Sequence, residues 1–410
     1  MATSSVALRG GRVLRTGGTG PERLDIVIAD DGRIAALAPA APASLGTKEI
    51  DLAGRLVVPG LVDAHQHLDK TRTRRQVPNP EGTLSGAIRS FAHYAKTVSR
   101  EDIQARAERT LAACLARGTV ALRTHANVDP ELEWRGVAAL VDVRERWRDR
   151  LRLQVVAFVT AGGTQAVASA REWLRSALDA GADVVGGAPA LADDPRAFLD
   201  FLFAAADHSG RPIDLHLDEH LDPARQHFDL VIERTRALGL QGRVVVGHCC
   251  VLSALSPADA SRIIEGLAAA GIGVITLPAA NLFLQGRDAT LLAPRGLTRV
   301  PELVRAGVPV ACASDNVQDP FIPSGSGDML EMARWTLLAG HLGANDLGRA
   351  FAMATTVPAG LMGLGDSYGI REGARADLLI ADAEDAEDLV ASGPLERAVL
   401  VGGKLVAGRL

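Results

Sequence analysis

The chain contains 410 residues, 47% hydrophobic and 23% charged, which is enough apolar material for a large core and is not the composition of a disordered segment. Its formal net charge of -5 provides no basic field for nucleic acid or for an anionic membrane. Aromatic residues make up only 4%, which argues against a surface that stacks the bases of single strands.

The cysteines and the apolar runs bear on the cellular compartment. Cys114, Cys249, Cys250 and Cys312 show neither CxxC spacing nor the density of a disulfide framework, which favours a reducing cytosol. No apolar run reaches the ~18 residues of a membrane span, and no apolar core of a secretory signal is apparent near the start. We therefore expect a soluble cytoplasmic protein with a small-molecule substrate and neither a nucleic-acid nor a membrane partner. Whether the chain forms a homo-oligomer stays open.

Both ends of the chain predict short β-strands. Residues 1–56 alternate apolar and polar positions around the turns DDG and AGR, and residues 361–410 repeat this style, with a hairpin signal at Gly402 and Gly403. Because chain termini often lie close together, we expect the two segments to combine into one small β-sandwich domain.

The middle of the chain, residues 57–360, alternates short apolar runs with amphipathic helical segments at about 30-residue spacing. The apolar runs end near His67, His125, Thr160, Ala188, His216, His248, Leu277 and Asp315. Eight such units over ~250 residues predict an α/β fold, a (β/α)₈ TIM-type barrel. A doubly wound open sheet would require GxGxxG after its first strand, and DAHQHLDK stands there instead.

Histidines stand where several predicted strands end. His65 and His67 are two residues apart on the first strand and so point to one face, while His216 ends the fifth strand and Asp315 the eighth. Barrel strands end at a common mouth, so these side chains are expected to converge. A lone strand-end histidine is more often a hydrogen-bonded core residue, but three imidazoles and a carboxylate need partners that one divalent ion supplies.

Other polar residues follow the same strands. Glu219 comes three residues after His216, so we expect it beside the ion as a proton shuttle, with a surface salt bridge as the alternative. His248, at the end of the sixth strand, is placed to orient a water whose pKa the ion lowers towards ~7. His125 is expected in the wall of the site, and His220 could equally face solvent.

The segment PGLVDAHQHLDK, with the later histidines and the closing SDN, resembles the amidohydrolase superfamily over nearly the whole chain. RTHANVD, IDLHLDE, FLQGRDA and DNVQDPF, in this order, are similar to its cytosine deaminase-like branch. The resemblance implies a barrel with a side β-sandwich and one divalent ion, zinc or iron(II). The ligands it implies are His65, His67, His216 and Asp315. It also implies that Glu219 transfers a proton and that His248 and Asp315 act in catalysis.

Binuclear members of the superfamily bridge their metals with a lysine from strand four. This chain has no lysine between Lys96 and Lys404, and its fourth strand reads ADVVGG, so a lysine-bridged pair of metals is excluded.

Two substitutions concern the substrate. Cytosine deaminases resembling this chain have a glutamine after strand three, where Thr160 stands, and a second aspartate at strand eight, where Asn316 stands. Phe321 stands where they tend to have tryptophan, and His125 completes the expected substrate wall. We therefore expect this chain to share the reaction of the cytosine deaminases but not their substrate, because a site built for particular polar groups rejects rings that lack them.

We accordingly predict a metal-dependent hydrolytic deaminase of an amino-substituted nitrogen heterocycle, with cytosine a poor substrate. ASDN followed by GDM also resembles the N-isopropylammelide amidohydrolases, so the alternative is removal of a substituted amine from a triazine-like ring, or opening of a cyclic amide. Those relatives lack the glutamate, so Glu219 favours release of ammonia. A non-catalytic scaffold on the same barrel would be expected to have lost ligands, and none is missing.

Overall fold

The computed structural model describes residues 5–42, 47–160 and 164–410. Its strands are β1 (Val6–Val13), β2 (Glu22–Ile28), β3 (Ile34–Ala38), β4 (Lys48–Asp51), β5 (Leu56–Pro59), β6 (Leu61–Gln66), β7 (Thr119–Val128), β8 (Arg152–Val159), β9 (Val184–Gly187), β10 (Ile213–Leu217), β11 (Val244–His248), β12 (Gly273–Thr276), β13 (Val310–Cys312), β14 (Leu378–Ala381), β15 (Arg397–Val401) and β16 (Lys404–Ala407). Its α-helices are α1 (Leu84–Ala95), α2 (Arg100–Ala116), α3 (Arg135–Trp147), α4 (Thr164–Asp179), α5 (Pro195–Ser209), α6 (Phe228–Ala237), α7 (Pro257–Ala269), α8 (Pro278–Leu284), α9 (Val300–Arg305), α10 (Met329–Ala339), α11 (Leu347–Met353), α12 (Thr356–Leu361) and α13 (Ala386–Ser392).

Strands β6 to β13 form the barrel, in which each strand pairs in parallel with the next. Backbone hydrogen bonds join its two ends: Asp315 N–H donates to His65 O at 2.9 Å, and His67 N–H donates to Asp315 O at 3.2 Å. The predicted (β/α)₈ fold is confirmed. The barrel therefore closes at the residues that the sequence selects as metal ligands.

The remaining strands, β1 to β5 and β14 to β16, form the terminal sheet, in the order β16-β15-β14-β5-β1-β2-β3 with β4 added beside β1. Strand β14 pairs antiparallel with β5, so segments from both ends of the chain share one sheet, as predicted. Its own apolar core includes Leu8, Ile26, Val57, Ile380 and Leu400.

The helices begin and end where local chemistry favours it. The Ser99 hydroxyl accepts the Asp102 N–H at 3.1 Å at the start of α2, and the Asp194 carboxylate accepts the Ala197 N–H at 3.0 Å at the start of α5. Gly210 ends α5 with φ 67°, a conformation that glycine adopts without steric cost. Strands β10 and β11 are buried at every position, as expected for parallel strands with helices outside and a packed interior.

The sequence pattern RLVVPGLVDAHQH predicts one strand, whereas the structure divides it at Gly60. Strand β5 belongs to the terminal sheet and β6 to the barrel. A Cβ at Gly60 would lie 2.3 Å from Val120 Cγ1, and the Tyr368 hydroxyl donates to Gly60 O at 2.6 Å. Both strands are fully buried, so hydrophobicity alone does not mark the crossing between them.

Two ion pairs connect the terminal sheet with the barrel. Arg397 on β15 donates from both terminal nitrogens to the Asp328 carboxylate at 2.9 Å, beside α10. Arg152 on β8 donates to Asp377 at 2.9 Å, just before β14. Among the described residues, no helix combines the length and the hydropathy needed to cross a membrane.

Candidate active site

Four side chains meet at the mouth of the barrel, and we call them the His/Asp cluster: His65 on β6, His67 directly after it, His216 on β10 and Asp315 after β13. His216 Nε2 lies 3.2 Å from His65 Nε2 and 3.0 Å from His67 Nε2. Asp315 Oδ1 lies 3.3 Å from His67 Nε2 and 3.6 Å from His65 Nε2. All four are buried, and their ligand atoms lie within 4.8 Å of one another.

The donor set of the cluster fits a divalent cation. Burial lowers the pKa of all three imidazoles well below its usual value, so they are neutral, and a neutral imidazole carries one N–H. Asp315 Oδ1 is buried without a hydrogen-bond partner among the described residues, and burial raises the pKa of this carboxyl. Three nitrogens and one oxygen in this arrangement are typical ligands of zinc and related ions.

A second group of potential ligands, His65, His125 and Asp214, lies deeper in the barrel. Asp214 is already paired with a cation, because Arg123 Nη1 donates to its Oδ2 at 2.7 Å with both side chains buried. A metal ion there would be repelled by the guanidinium at short range. The His/Asp cluster is therefore the better candidate.

Two features position His65 and His67. The His65 ring packs on His125 with centroids 4.0 Å apart, and its Cε1 and Nδ1 atoms lie against Gly247, where a Cβ would come within 3.0 Å of the ring. Lys70 Nζ lies 3.0 Å from His67 Nδ1 and donates to Asn127 Oδ1 at 2.9 Å. Lys70 lines the site and is buried in an ion pair with Asp69, with Nζ 3.3 Å from Oδ1.

Glu219 and His248 lie beside the cluster. Glu219 Oε1 is 3.5 Å from His248 Nδ1, and Asn281 Nδ2 lies 3.1 Å from the same ring nitrogen. Gln285 donates to the backbone oxygen of Glu219 at 3.1 Å. Burial, reinforced by the Asp315 carboxylate, raises the pKa of Glu219 well above its usual value, and burial lowers the pKa of His248 to about 3. A carboxyl that holds its proton near neutral pH is suited to proton transfer.

A cavity of about 410 Å³ opens above these side chains. The residues selected from the sequence that line it are His67, Thr160, His216, Glu219, His220, His248, Asp315, Asn316 and Phe321. His125 does not line the cavity, because its ring is fully buried beneath His65. His65 is also fully buried.

Helix α1 supplies an apolar wall to this cavity. The side chains that it contributes are Leu84, Ile88, Phe91 and Ala92. Ligand sites combine such apolar walls with a few polar groups, and here the polar groups lie at the barrel end.

A model of the amidohydrolase family matches residues 48–167 and 132–407. The chain belongs to the amidohydrolase family. It is 33% identical over 397 residues to pterin deaminase from Rhizobium rhizogenes, covering 95% of this chain and 90% of that relative.

Solved structures agree with this assignment. The 5-methylcytosine deaminase of Klebsiella pneumoniae, liganded with phosphonocytosine, is 33% identical with a TM-score of 0.90, and 98% of each chain is covered. N-isopropylammelide isopropylaminohydrolase of Burkholderia multivorans is 33% identical with a TM-score of 0.85, covering 99% of this amidohydrolase and 98% of that chain. The predicted resemblance to the cytosine deaminase-like branch is confirmed.

Sequence reasoning missed several residues that shape the site of this amidohydrolase. Lys70 and Asn281 were not selected, although each contacts a histidine of the site. Asp218 adopts φ 52° directly before Glu219, and its carboxylate accepts the His227 backbone N–H at 2.7 Å. The charged run HLDEH is the signal that could have identified Asp218; Asn281 lies in an apolar helix with no such signal.

Proposed function

We propose that this amidohydrolase catalyses the hydrolytic deamination of an amino-substituted nitrogen heterocycle. The observation that carries the proposal is the placement of Glu219 and His248 beside the His/Asp cluster, at the floor of a cavity. In the reaction, water adds to the amidine-like ring carbon, the bond from that carbon to the amino nitrogen breaks, ammonia leaves and a ring carbonyl remains.

We propose one divalent ion per chain, zinc or iron(II), held by His65, His67, His216 and Asp315. When bound, such an ion supplies a water of lowered pKa as the nucleophile. The short distances among the four ligand atoms and the lack of another partner for Asp315 Oδ1 among the described residues support this ligand set.

We assign the proton transfers of this reaction to Asp315 and Glu219. Asp315 lies where it can accept a proton from the attacking water and pass it to the amino nitrogen, which leaves as ammonia. Glu219 can deliver a proton to the ring nitrogen and take back the proton of the new hydroxyl as the carbonyl forms. His248, whose ring lies 3.5 Å from Glu219 and lines the cavity, is assigned to contact the reacting oxygen. His125 lies outside the cavity lining, so we assign it to the support of His65 instead of to substrate contact.

Thr160, Asn316 and Phe321 line the cavity and are proposed to contact the substrate. Threonine offers one short hydroxyl where a glutamine amide would offer two donors and an acceptor. The amide of Asn316 donates to Asp319 at 2.7 Å and carries no charge. Each cytosine polar group left without a partner would cost ~1–3 kcal/mol, so two losses lower kcat/KM by about 100-fold or more.

A panel of aminopyrimidines, aminopurines, pterins, triazines and creatinine-like rings, assayed for released ammonia, tests this function. A larger amino-heterocycle should be preferred to cytosine, and turnover of cytosine at ~10⁵ M⁻¹ s⁻¹ or above would contradict the substrate argument.

The second candidate is hydrolysis of a substituted amine from a triazine ring. It is supported by the 33% identity to the N-isopropylammelide isopropylaminohydrolase structure. Including N-alkylamino triazines in the panel, and measuring alkylamine beside ammonia, separates the two functions.

A further inference from the structure

The side chain of Asn281 contacts the ring of His248 from below the cavity. Asn281 lies on α8, is fully buried, and places its Nδ2 3.1 Å from His248 Nδ1. The same helix leads into Gln285, whose amide donates to the backbone oxygen of Glu219. One short segment therefore contacts both His248 and Glu219, the two residues beside the His/Asp cluster.

The contact decides which ring nitrogen carries the proton. An amide nitrogen can only donate, so His248 Nδ1 must accept, and the single N–H of a neutral imidazole then lies on Nε2. His248 Nε2 is buried, has no hydrogen-bond partner among the described residues, and belongs to a ring that lines the cavity. A donor is thus directed towards the reacting atoms.

Glu219 is the competing partner, because a carboxylate oxygen near Nδ1 would favour a proton on that nitrogen. Its Oε1 lies 3.5 Å from Nδ1, farther than the amide of Asn281. The nearer contact also falls within hydrogen-bond distance, so it sets the tautomer.

We propose that Asn281 is a positioning residue that holds His248 as the Nε2–H tautomer, so that His248 donates a hydrogen bond to the oxygen that adds to the ring carbon and does not act as a base. The proposal rests on the proposed function for the identity of that oxygen. A fixed donor of this kind stabilises negative charge as it develops in the transition state. No proton leaves His248, so the transfers assigned to Glu219 and Asp315 remain balanced.

The first test locates the proton directly. Neutron diffraction, or ¹⁵N NMR of histidine-labelled zinc-loaded protein with His248→Gln for assignment, should show Nε2 protonated and Nδ1 bare. A proton on Nδ1 would overturn the proposal, and would mean that the amide presents Oδ1 to the ring. This measurement uses no substrate, so it stands even if the proposed function fails.

The second test reverses the polarity of the contact. Asn281→Asp has nearly the same shape but accepts a hydrogen bond, so the His248 proton should move to Nδ1. We expect kcat to fall about 10²–10³-fold, as for other fixed donors, with KM changed less than threefold and zinc content unchanged. Unchanged kcat with a moved proton would show that His248 does not donate.

Thr336→Val is the matched control, since it removes a buried hydroxyl on α10 that donates to Met332 O in its own helix. It should leave both the tautomer and kcat as they are. If Asn281→Asp fails to fold, the proton position in the wild-type protein alone decides the proposal.

Discussion

At the scale of single residues, burial sets the protonation state of the ionisable side chains in the site. Glu219 has a side chain 14% exposed and a pKa raised by burial, so it can hold a proton that a surface carboxyl would lose. We predict that Glu219→Gln keeps the shape and the bound metal but loses 10²–10⁴-fold in kcat, because the amide cannot transfer a proton. Steady-state kinetics beside metal analysis would measure this.

The exposed Glu265→Gln on α7 provides the control for this charge change and should retain full turnover. Equal rates for Glu219→Gln and the wild-type protein would make Glu219 a bystander in the reaction.

His67 offers the second test at this scale, since its Nε2 lies within 3.3 Å of both His216 and Asp315. His67→Ala should lower the metal content below one ion per chain and lower turnover in parallel, because only three of the four protein ligands remain to bind the ion. Elemental analysis of purified protein measures the content. The exposed His208→Ala should keep one ion, and two ions per chain in the active wild-type protein would refute the mononuclear site.

The sequence predicts these residues because period-two spacing and strand-end position are local signals. His65 lies on β6, His67 directly follows it and His216 lies at the end of β10, so a common mouth follows from the barrel alone. The contact of Asn281 with His248 spans 33 positions and depends on how α8 packs, and no local pattern encodes it. The same holds for Lys70, which lies after β6 and whose partner Asn127 lies on β7.

At the scale of elements, the strand exits carry unusual backbone. Asp218, His248, Cys249 and Asp315 all have φ between 50° and 65°, which non-glycine residues rarely adopt. These positions follow β10, β11 and β13, where the chain must turn sharply to direct side chains into the cavity. Such strain tends to gather at functional sites, where the surrounding structure maintains it.

Strand β11 also makes room for a ligand on β6. A Cβ on Gly247 would lie 3.0 Å from His65 Cε1 and 3.1 Å from its Nδ1, so the ring would have to move. We predict that Gly247→Ala reduces metal occupancy and kcat by at least tenfold, since small misplacements of catalytic geometry are costly. Metal titration of the apoprotein would measure the lost affinity.

Gly360→Ala on α12 is the matched control, because nothing lies within 4 Å of the added Cβ. It should bind metal like the wild-type protein. Full metal affinity in Gly247→Ala would show that the His65 ring adjusts without loss.

The elements themselves differ in how far the sequence specifies them. Eight alternating units and the exits near His216 and His248 are confirmed, because buried strands and amphipathic helices have distinct periods. The crossing at Gly60 was missed, because the residues directly before and after it are apolar and both strands are buried at every position. Only the tertiary contact with Val120 explains why glycine stands there.

At the scale of the whole molecule, the terminal sheet is fixed to the barrel by buried polar contacts of residues that do not line the cavity. The Arg397 side chain is 1% exposed and bonds Asp328 with two nitrogens, and it also donates to Arg117 O at 2.6 Å at the end of α2. It therefore joins β15, α2 and the start of α10. Asp328 additionally caps α10 by accepting the Leu330 N–H at 3.0 Å.

The ion pair of Arg397 with Asp328 connects the terminal sheet and the barrel at this junction. Arg397→Met keeps an apolar stem but leaves the Asp328 carboxylate buried without its partner, which should lower the free energy of unfolding by ~3–5 kcal/mol. Adding Asp328→Asn should recover part of that loss, because asparagine still caps the helix and carries no charge. Denaturant unfolding of the single and double variants measures both effects, while the exposed Arg262→Ala should change little. Metal content and kcat of the folded variants should match the wild-type protein. If the double variant is no more stable than Arg397→Met, the loss arises from packing and from the bond to Arg117, and the ion pair does not hold the two parts together.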